Sequence, residues 1–428
     1  MVINRNIGIL LPAISRNTGG LSSALDLAET LYNLKYEVKL FLTDQSPEEY
    51  YNLYKTKFPI SINRKNILLA PNGLNNITIS IESLIRCLLD FKFFYSSKNY
   101  YKYLYHEFIS IFIKLSFTIK TSINNRNSNS IEMLSKCDII INIAGLNSIK
   151  LEKLKKFYKG KLIQNYAGDL INDYKKEKID NSAFNFYNIG IKKYFNYFDF
   201  ILFQSYDQSD YFKKIFYSIN TKALTLLPST DEEAILKTLN SSSPYSNHFL
   251  NIVLIGTIQE RKGQHLAIEV LKGLLKFNKK IILHFVGKNV NKLYYTNLKN
   301  LITEYNLSNN VEFHGHRDDY LLYLAHSDIV LQTSLSEGVS RILRESMFLK
   351  KPIVSFSIPG TNSILINNES ALLSEPFDID NMIKDVLNII NDEKFKFKII
   401  DNSYKCYLKN HKKEIYINNV ETIFTSIN

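Results

Sequence analysis

The stretch SEGVSRILRES, residues 336–346, carries two carboxylates around a glycine and a serine. Glu337 and Glu345 are eight residues apart, and on a helix this separates them by roughly 10–12 Å. That distance is too long for a shared proton or metal ion, but it suits contacts with two parts of one elongated ligand. The alternative is an ordinary helix, with Glu337 as a capping acid and Glu345 as a surface residue paired with Arg341. The spacing alone leaves both interpretations open, and Arg341 and Arg344 are expected to form surface or interdomain pairs.

The residues before Glu337 favour the ligand interpretation. The apolar run DIVLQTS predicts a strand, and a helix is expected to start at about Val339. The backbone N–H groups of Gly338, Val339 and Ser340 would then point at a bound anion.

A second loop of the same kind is predicted in IGTIQERKGQH. A strand ends at Gly256, a helix begins near Gln264, and Arg261 and Lys262 lie between them. An Arg guanidinium binds phosphate through two parallel N–H groups, and a Lys ammonium binds it as a point charge. An Arg and a Lys beside a helix N-terminus therefore suit a diphosphate. The alternative is a solvated basic loop. The carboxyl end of a parallel strand favours the site, because ligands of open α/β sheets bind there.

Gly19 and Gly20 follow the first predicted strand and open a helical stretch. Glycines at such a turn let backbone N–H groups approach a ligand, although a plain tight turn explains them equally well. The G-x-G-x-x-G pattern is missing there, which argues against a dehydrogenase-type dinucleotide site.

The order of predicted elements indicates an α/β protein. Short apolar runs alternate with helical stretches along the chain, as in parallel sheets covered on both faces. At 428 residues the chain predicts two domains, 1–240 and 250–400, separated by a polar break at 239–249. Residues 401–428 are expected to form a helix that packs back towards the first domain.

One segment, residues 91–130, departs from this alternation. It is rich in Phe, Tyr, Ile and Lys, and the chain has a net charge of +12. Packing of these aromatics on the first domain is the favoured interpretation. A position on an anionic membrane surface is the alternative.

Composition excludes several classes of protein. The scattered lysines match no nucleic-acid motif, so no nucleic-acid partner is expected. No apolar run approaches membrane-spanning length, and the N-terminal stretch does not look like a signal peptide. Cys87, Cys137 and Cys406 are isolated, so neither a disulfide framework nor a zinc site is indicated. A cytoplasmic protein is expected, with a peripheral position at the inner membrane face as a hypothesis.

The second half resembles the family 4 glycosyltransferases, which are retaining enzymes of the GT-B fold. The resemblance runs from about Asn251 to Leu373 and rests on ERKGQ, FVGK, VEFHGHRDD, TSLSEGVSRILRES, KPIVSFSIPGTNSI and NESALL. The first half is similar through GGLSSALDLAETLYNLKYEVKLF and LLPSTDEEAI. The resemblance implies two Rossmann-like doubly wound domains facing an interdomain cleft.

The resemblance also implies roles for particular residues. Arg261 and Lys262 would neutralise the diphosphate of a sugar nucleotide, and Glu337 would bind sugar hydroxyls; these three are the predicted catalytic residues. Glu345 would accept from the ribose, and backbone near His314 would line the base pocket. The implied donor-binding set is Gly19, Gly20, Gly256, His314, Gly338, Val339, Ser340 and Glu345.

The acceptor side departs from the family pattern. Relatives often place a His at the end of a strand near the sugar, and here Tyr166 stands in LIQNYAGDL. Asn165, Tyr166 and Asp169 are therefore the acceptor-side candidates. Two further departures are Thr257, where many relatives have Arg, and Ser363, where a glutamate is common.

The expected activity is transfer of a hexosyl group from a UDP- or GDP-sugar to a hydroxyl of a glycan or lipid-linked glycan. No metal or other cofactor is expected, since the D-x-D triplet at 378–380 is interpreted as acids at a helix start. The alternatives are a non-catalytic sugar-nucleotide-binding partner of another transferase and a sugar-nucleotide 2-epimerase.

Overall fold

The computed structural model describes residues 5–11, 19–42, 67–69, 128–143, 148–171, 173, 191–245, 248–277 and 280–427. Within them lie two sheets with flanking helices. The aromatic segment 91–130 lies outside the described residues except for 128–130, which open a helix.

The first sheet has seven strands in the order β3-β2-β1-β4-β5-β6-β7. The central strand β1 pairs in parallel with both β2 and β4. From Ile7 to Leu11, β1 is buried throughout, as expected for an apolar strand covered on both faces. The strands are β1 (Asn6–Leu11), β2 (Glu37–Leu42), β3 (Ile67–Leu69), β4 (Ile139–Asn142), β5 (Lys161–Tyr166), β6 (Phe200–Phe203) and β7 (Lys222–Thr225). The helices are α1 (Gly19–Asn33), α2 (Ser128–Ser135), α3 (Ser148–Phe157), α4 (Ile191–Phe195), α5 (Tyr206–Ile215) and α6 (Glu232–Leu236).

The second sheet has six strands in the order β10-β9-β8-β11-β12-β13. Both sheets thus begin in the middle, grow to one side and then return to the other, which is the doubly wound order. The strands are β8 (Leu250–Ile255), β9 (Ile281–Val286), β10 (Val311–Gly315), β11 (Ile329–Gln332), β12 (Ile353–Phe356) and β13 (Leu372–Ser374). The helices are α7 (Gln264–Leu274), α8 (Lys292–Glu304), α9 (Tyr320–His326), α10 (Arg341–Phe348), α11 (Pro359–Asn362), α12 (Ile379–Asn391), α13 (Glu393–Asn410) and α14 (Lys413–Ser426).

Apolar side chains cover both faces of the second sheet. One buried cluster joins the sheet to α7, α8 and α12, for example through Leu271 and Met382. The other joins it to α9, α10 and α13, for example through Leu343, Met347 and Tyr407. The predicted α/β class with two Rossmann-like doubly wound sheets is confirmed.

Contacts along the chain divide it into two compact units. One unit comprises Met1–Asn165, Ser182–Ile201 and Ile219–Lys222; the other comprises Tyr166–Asn181, Leu202–Ser218 and Ala223–Asn428. The domain limits of 1–240 and 250–400, and the packing of 401–428 towards the first domain, remain predictions. In the described part of the chain, no helix combines the length and apolar character needed to cross a membrane.

Two glycines, one before α7 and one at the end of β10, have a left-handed backbone in different surroundings. Gly263 has a φ of 66° and Gly315 a φ of 67°. A Cβ on Gly263 would lie 2.1 Å from the carbonyl oxygen of Thr333, whereas one on Gly315 meets no described atom within 4 Å. Gly263 is therefore required by both conformation and space, and Gly315 by conformation alone.

We expect Gly263→Ala to destabilise the protein more than Gly315→Ala. Both alanines carry the left-handed cost of roughly 1–2 kcal/mol. Only alanine at 263 also meets a backbone carbonyl, and overpacking of this kind adds roughly 1–3 kcal/mol. Thermal unfolding of the two variants measures the difference, and equal melting temperatures would contradict it.

Candidate functional site

The predicted site lies in three loops at one edge of the second sheet. The loops follow β8, β11 and β12, which are neighbours in the sheet order. Strands β8 and β12 each pair in parallel with β11, so their carboxyl ends meet at the same edge. This is where ligands of doubly wound sheets bind.

An ion cluster joins the first two loops. Glu337 accepts a hydrogen bond at Oε2 from Arg261 Nη1, at 3.2 Å, and at Oε1 from Lys262 Nζ. Arg261 Nη1 also donates to the carbonyl oxygen of Ser336. The structure therefore brings together the three residues predicted to be catalytic, although they are 75 and 76 positions apart.

The electrostatics of this cluster keep Glu337 ionised. The residue is only 9% exposed. Burial raises the pKa of Glu337, but the charges of Lys262 and Arg261, with hydrogen bonds from Lys262 and Ser334, lower it further than burial raises it. One carboxylate thus faces two cations, and the cluster retains a net positive charge.

Backbone contacts hold the two loops in register. Thr333 donates from Oγ1 to the carbonyl oxygen of Gly263 at 2.8 Å, and Leu335 N–H donates to that of Arg261 at 2.9 Å. A Cβ on Gly256 would lie 3.3 Å from Cε of Lys262. Gly256 therefore leaves room for the Lys262 side chain to pass towards Glu337.

Two further glycines allow close backbone contact around Glu337. A Cβ on Gly338 would lie 2.6 Å from the carbonyl oxygen of Ala167. A Cβ on Gly360, in the loop after β12, would lie 1.9 Å from the carbonyl oxygen of Gly338. Chain packing alone thus requires glycine at both positions. At position 338 this requirement stands beside the anion contact that the sequence predicts for the backbone N–H group.

The helix after Glu337 begins two residues later than predicted, at Arg341 instead of Val339. Ser340 is its N-cap: the hydroxyl accepts from Leu343 N–H at 3.5 Å and donates to Gln332 Oε1 at 2.9 Å. Because 338–340 precede the helix, their N–H groups are not taken up by it. Among the described residues these three N–H groups have no hydrogen-bond partner. They are donors suited to an anion.

Glu345 lies in α10 and is 4% exposed. Its Oε1 accepts from the Tyr320 hydroxyl at 2.8 Å and lies 3.6 Å from Arg341 Nε. Its Oε2 is buried, with no hydrogen-bond partner in the part of the chain that the structure describes. Burial raises the pKa of Glu345, and this outweighs the lowering by Arg341 and Tyr320. The pair of Glu345 with Arg341 from the ordinary-helix alternative is thus present, but the surface position that this alternative gave Glu345 is wrong.

Tyr320 is a residue that the sequence did not reveal. Its ring lies 5.2 Å from the Arg341 guanidinium, so one tyrosine contacts both members of the Glu345–Arg341 pair. Arg344, expected to form a surface or interdomain pair, is not at the surface: it is buried and donates to the carbonyl oxygen of Ser229.

The acceptor-side candidates are placed differently from one another. Asn165 and Tyr166 end β5 and are buried. The Tyr166 hydroxyl donates to Asp173 Oδ2 at 2.5 Å. Asp169 accepts from Ser336 Oγ at 3.2 Å, next to Glu337. Asp169 thus contacts the Glu337 loop.

The remaining predicted residues belong to other elements. Gly19 and Gly20 open α1 in the other unit, and their role towards a donor remains a prediction. His314 lies in β10 beside His284 of β9. Asp378 is the N-cap of α12 and accepts from Asn381 N–H at 3.0 Å, which confirms its interpretation as a helix-start acid.

Comparison with known families identifies the second half of the chain. Residues 246–406 match the family described as glycosyl transferases group 1. An uncharacterized glycosyltransferase of Methanocaldococcus jannaschii is 28% identical over 176 residues, which cover 39% of this chain and 42% of that one. The lipopolysaccharide core biosynthesis glycosyltransferase LpsE of Rhizobium meliloti is 23% identical over 163 residues, which cover 38% of this chain and 46% of LpsE. The match thus spans less than half of either relative.

The fold as a whole resembles that of Anabaena HepE, solved in complex with UDP and glucose. The TM-score is 0.67 at 13% sequence identity, and the match covers 99% of this chain and all of HepE. The chain therefore has the GT-B fold, and its residues 246–406 match the glycosyl transferases group 1 family.

Proposed function

We propose that this protein is a retaining glycosyltransferase that moves a hexosyl group from a UDP- or GDP-sugar to a hydroxyl of a glycan or lipid-linked glycan. The observation that carries the proposal is the cluster of Arg261 and Lys262 around Glu337, beside the N–H groups of residues 338–340. This combination of fixed cations and backbone donors suits a diphosphate.

The chemistry needs negative charge to be stabilised on the leaving group. In the transfer, the bond between the sugar carbon and the diphosphate oxygen breaks and a bond to the acceptor oxygen forms. The nucleoside diphosphate leaves with the bonding electrons, and an oxygen of this leaving group takes up the proton of the acceptor hydroxyl. Arg261, Lys262 and the N–H groups are already in place for this charge, so the proposed transfer needs no metal ion.

Glu345 is proposed to bind the ribose of the donor. Its Oε2 is a buried acceptor without a partner among the described residues, and such a group costs free energy. A ribose hydroxyl that donates to Oε2 would remove this cost. Tyr320, which donates to Oε1, would hold the carboxylate in place as a positioning residue.

The comparisons support the proposed donor and pathway at a coarse level. HepE was solved with UDP and glucose, which supports a UDP-sugar for this chain. LpsE is named for lipopolysaccharide core biosynthesis, which supports a role in surface polysaccharide or glycoconjugate synthesis. Retention and hexosyl transfer rest on the resemblance to family 4, and GDP remains an alternative base.

The acceptor is proposed to approach Asp169, which contacts the Glu337 loop through Ser336. Tyr166 is a weaker candidate, since its hydroxyl donates to Asp173. The position held by a histidine in many relatives thus carries a buried phenol. This observation favours the second candidate function, a non-catalytic sugar-nucleotide-binding partner of another transferase.

We expect Lys262→Ala and Arg261→Ala to weaken donor binding. A ligand that binds the folded state raises its melting temperature, so wild type should show a shift with at least one of UDP-glucose, UDP-N-acetylglucosamine and GDP-mannose. Each variant should reduce or abolish that shift, because it removes one cation from the diphosphate. Lys299→Ala removes the same charge from the exposed side of α8 and serves as the control. Equal shifts in all four proteins would contradict the assignment.

Release of nucleoside diphosphate separates the two candidate functions. The transferase should release it from the donor on incubation with an acceptor or, more slowly, with water. Lys262→Ala should lower kcat by about 10²–10³-fold, as loss of one preorganised donor does. Turnover should persist in metal-stripped enzyme and should not rise with added Mg²⁺ or Mn²⁺. Donor binding without any turnover would favour the non-catalytic partner.

We expect Glu345→Gln to stabilise the ligand-free protein and to weaken its response to the donor. The pKa of Glu345 is raised in the folded state, so its ionised form destabilises the fold at neutral pH. The gain in melting temperature should be largest near pH 7 and shrink as the pH falls and the wild-type carboxyl is protonated. Glu304→Gln, at the exposed end of α8, is the control. A variant less stable than wild type with an unchanged donor shift would refute this role.

Membrane attachment is a further proposal, and it rests on the sequence of residues 91–130 and the net charge of +12. Flotation with vesicles containing anionic lipid at low salt should carry the protein to the top of the gradient. Neutral vesicles are the control. Failure to float with anionic vesicles would exclude this part of the proposal.

A further inference from the structure

Two histidines and a glutamate meet on β9 and β10, away from the ion cluster. Glu312 lies directly opposite His284 in the parallel pairing, and His314 follows two residues later. His284 Nδ1 lies 3.0 Å from His314 Nε2, and Glu312 Oε2 lies 3.5 Å from each of these nitrogens. Three potential metal-ligand atoms thus converge on one point.

Asn251 fixes the tautomer of His284. Its side-chain Nδ2 donates to the Phe249 carbonyl oxygen at 2.9 Å, so its Oδ1 is the atom that faces His284 Nε2 at 3.0 Å. An amide oxygen only accepts, so the ring proton must be on Nε2. The lone pair of Nδ1 is therefore directed towards His314 and Glu312. A histidine ligand whose second nitrogen donates to a neighbouring oxygen is the usual arrangement in metal sites.

The surroundings keep His284 neutral, which is the form that binds metals. Its side chain is 2% exposed, and the Tyr245 ring covers it with centroids 4.3 Å apart. Burial, with a smaller contribution from His314, lowers the pKa of His284 to about 3. Burial likewise lowers the pKa of His314.

The three distances fit a small tetrahedral ion. Atoms at these separations lie on a circle of radius about 1.9 Å, so an ion about 2.0–2.1 Å from each would sit roughly 0.5–0.8 Å outside their plane. A tetrahedral ion with three protein ligands and one open position sits at such a height. Two histidines and one carboxylate are also a known ligand set for zinc.

We propose that His284 Nδ1, His314 Nε2 and Glu312 Oε2 form a binding site for a divalent transition-metal ion of the zinc class, with Asn251 orienting His284. Two imidazole ligands select this class over Mg²⁺ and Ca²⁺, which prefer oxygen. An ion can enter past Glu312, because that side chain is 52% exposed and β10 is at the end of the strand order.

Such an ion would tie β10 to β9 immediately before the turn at Gly315. It would be separate from the sugar transfer, which is proposed to proceed without metal. The competing interpretation is a metal-free hydrogen bond, in which His314 Nε2–H donates to His284 Nδ1. In that case Glu312 would contribute nothing to metal binding.

The test uses the untagged full-length chain, stripped with EDTA and titrated with Zn²⁺ alone by calorimetry against a competing chelator. Wild type should bind one ion per chain, and Co²⁺ in its place should give the intense visible bands of a tetrahedral site. Glu312→Gln and His314→Gln should each lower the Zn²⁺ affinity by at least about 10–100-fold. Losses of this size follow when a residue that only hydrogen-bonds to a metal ligand is changed, and these two residues are proposed as ligands themselves. His316→Gln is the matched control, because His316 is 60% exposed and close to His314 without belonging to the cluster.

Two results would overturn the proposal. One is wild-type protein that takes up no stoichiometric Zn²⁺. The other is binding that Glu312→Gln leaves unchanged, which would assign the ion to another place on the chain. Thermal unfolding without metal shows whether each variant is folded. If His314→Gln does not fold, Glu312→Gln decides alone, since its half-exposed carboxylate can be replaced without disturbing the core.

Discussion

The site depends on the attraction between one buried carboxylate and two cations from a neighbouring loop. Lys262 and Arg261 would repel each other if Glu337 did not lie between them. The carboxylate in turn tolerates burial because both cations face it. The loops after β8 and β11 are thus linked by charge as well as by backbone hydrogen bonds. In an enzyme that stabilises a diphosphate, the cations are then oriented before the ligand arrives, and little reorganisation is left for the reaction.

Part of this arrangement follows from the sequence. Alternating apolar runs and helical stretches predict the doubly wound sheets, because burial on both faces leaves a distinctive pattern. The position of ERKG and SEGVS after two such strands predicts that Arg261, Lys262 and Glu337 come together. Asp378 was predicted as a helix-start acid from its position alone. These inferences succeed because they need only local pattern and the common edge of a parallel sheet.

The rest depends on pairing and packing that the sequence does not display. Glu312 faces His284 only because β10 pairs with β9 in one register, and sequence reasoning therefore found no metal ligands there. Tyr320 reaches Glu345 through a hydrogen bond from α9 to α10, which no spacing rule predicts. The sequence predicts that α10 starts at Val339, two residues too early. Ser340 is the N-cap, so the helix itself begins at Arg341.

The contact between Gly338 and Gly360 has a consequence for changing the specificity of the protein. Where two main chains touch, a new side chain cannot be accommodated by rotamer changes nearby, since backbone would have to move. The backbone at these two glycines is therefore closed to variation, whatever donor the protein uses. Diversity among related proteins, and success in directed evolution, should concentrate on side chains that contact Glu345 and the Glu337 loop, with Tyr320 and Asp169 as the first positions to randomise.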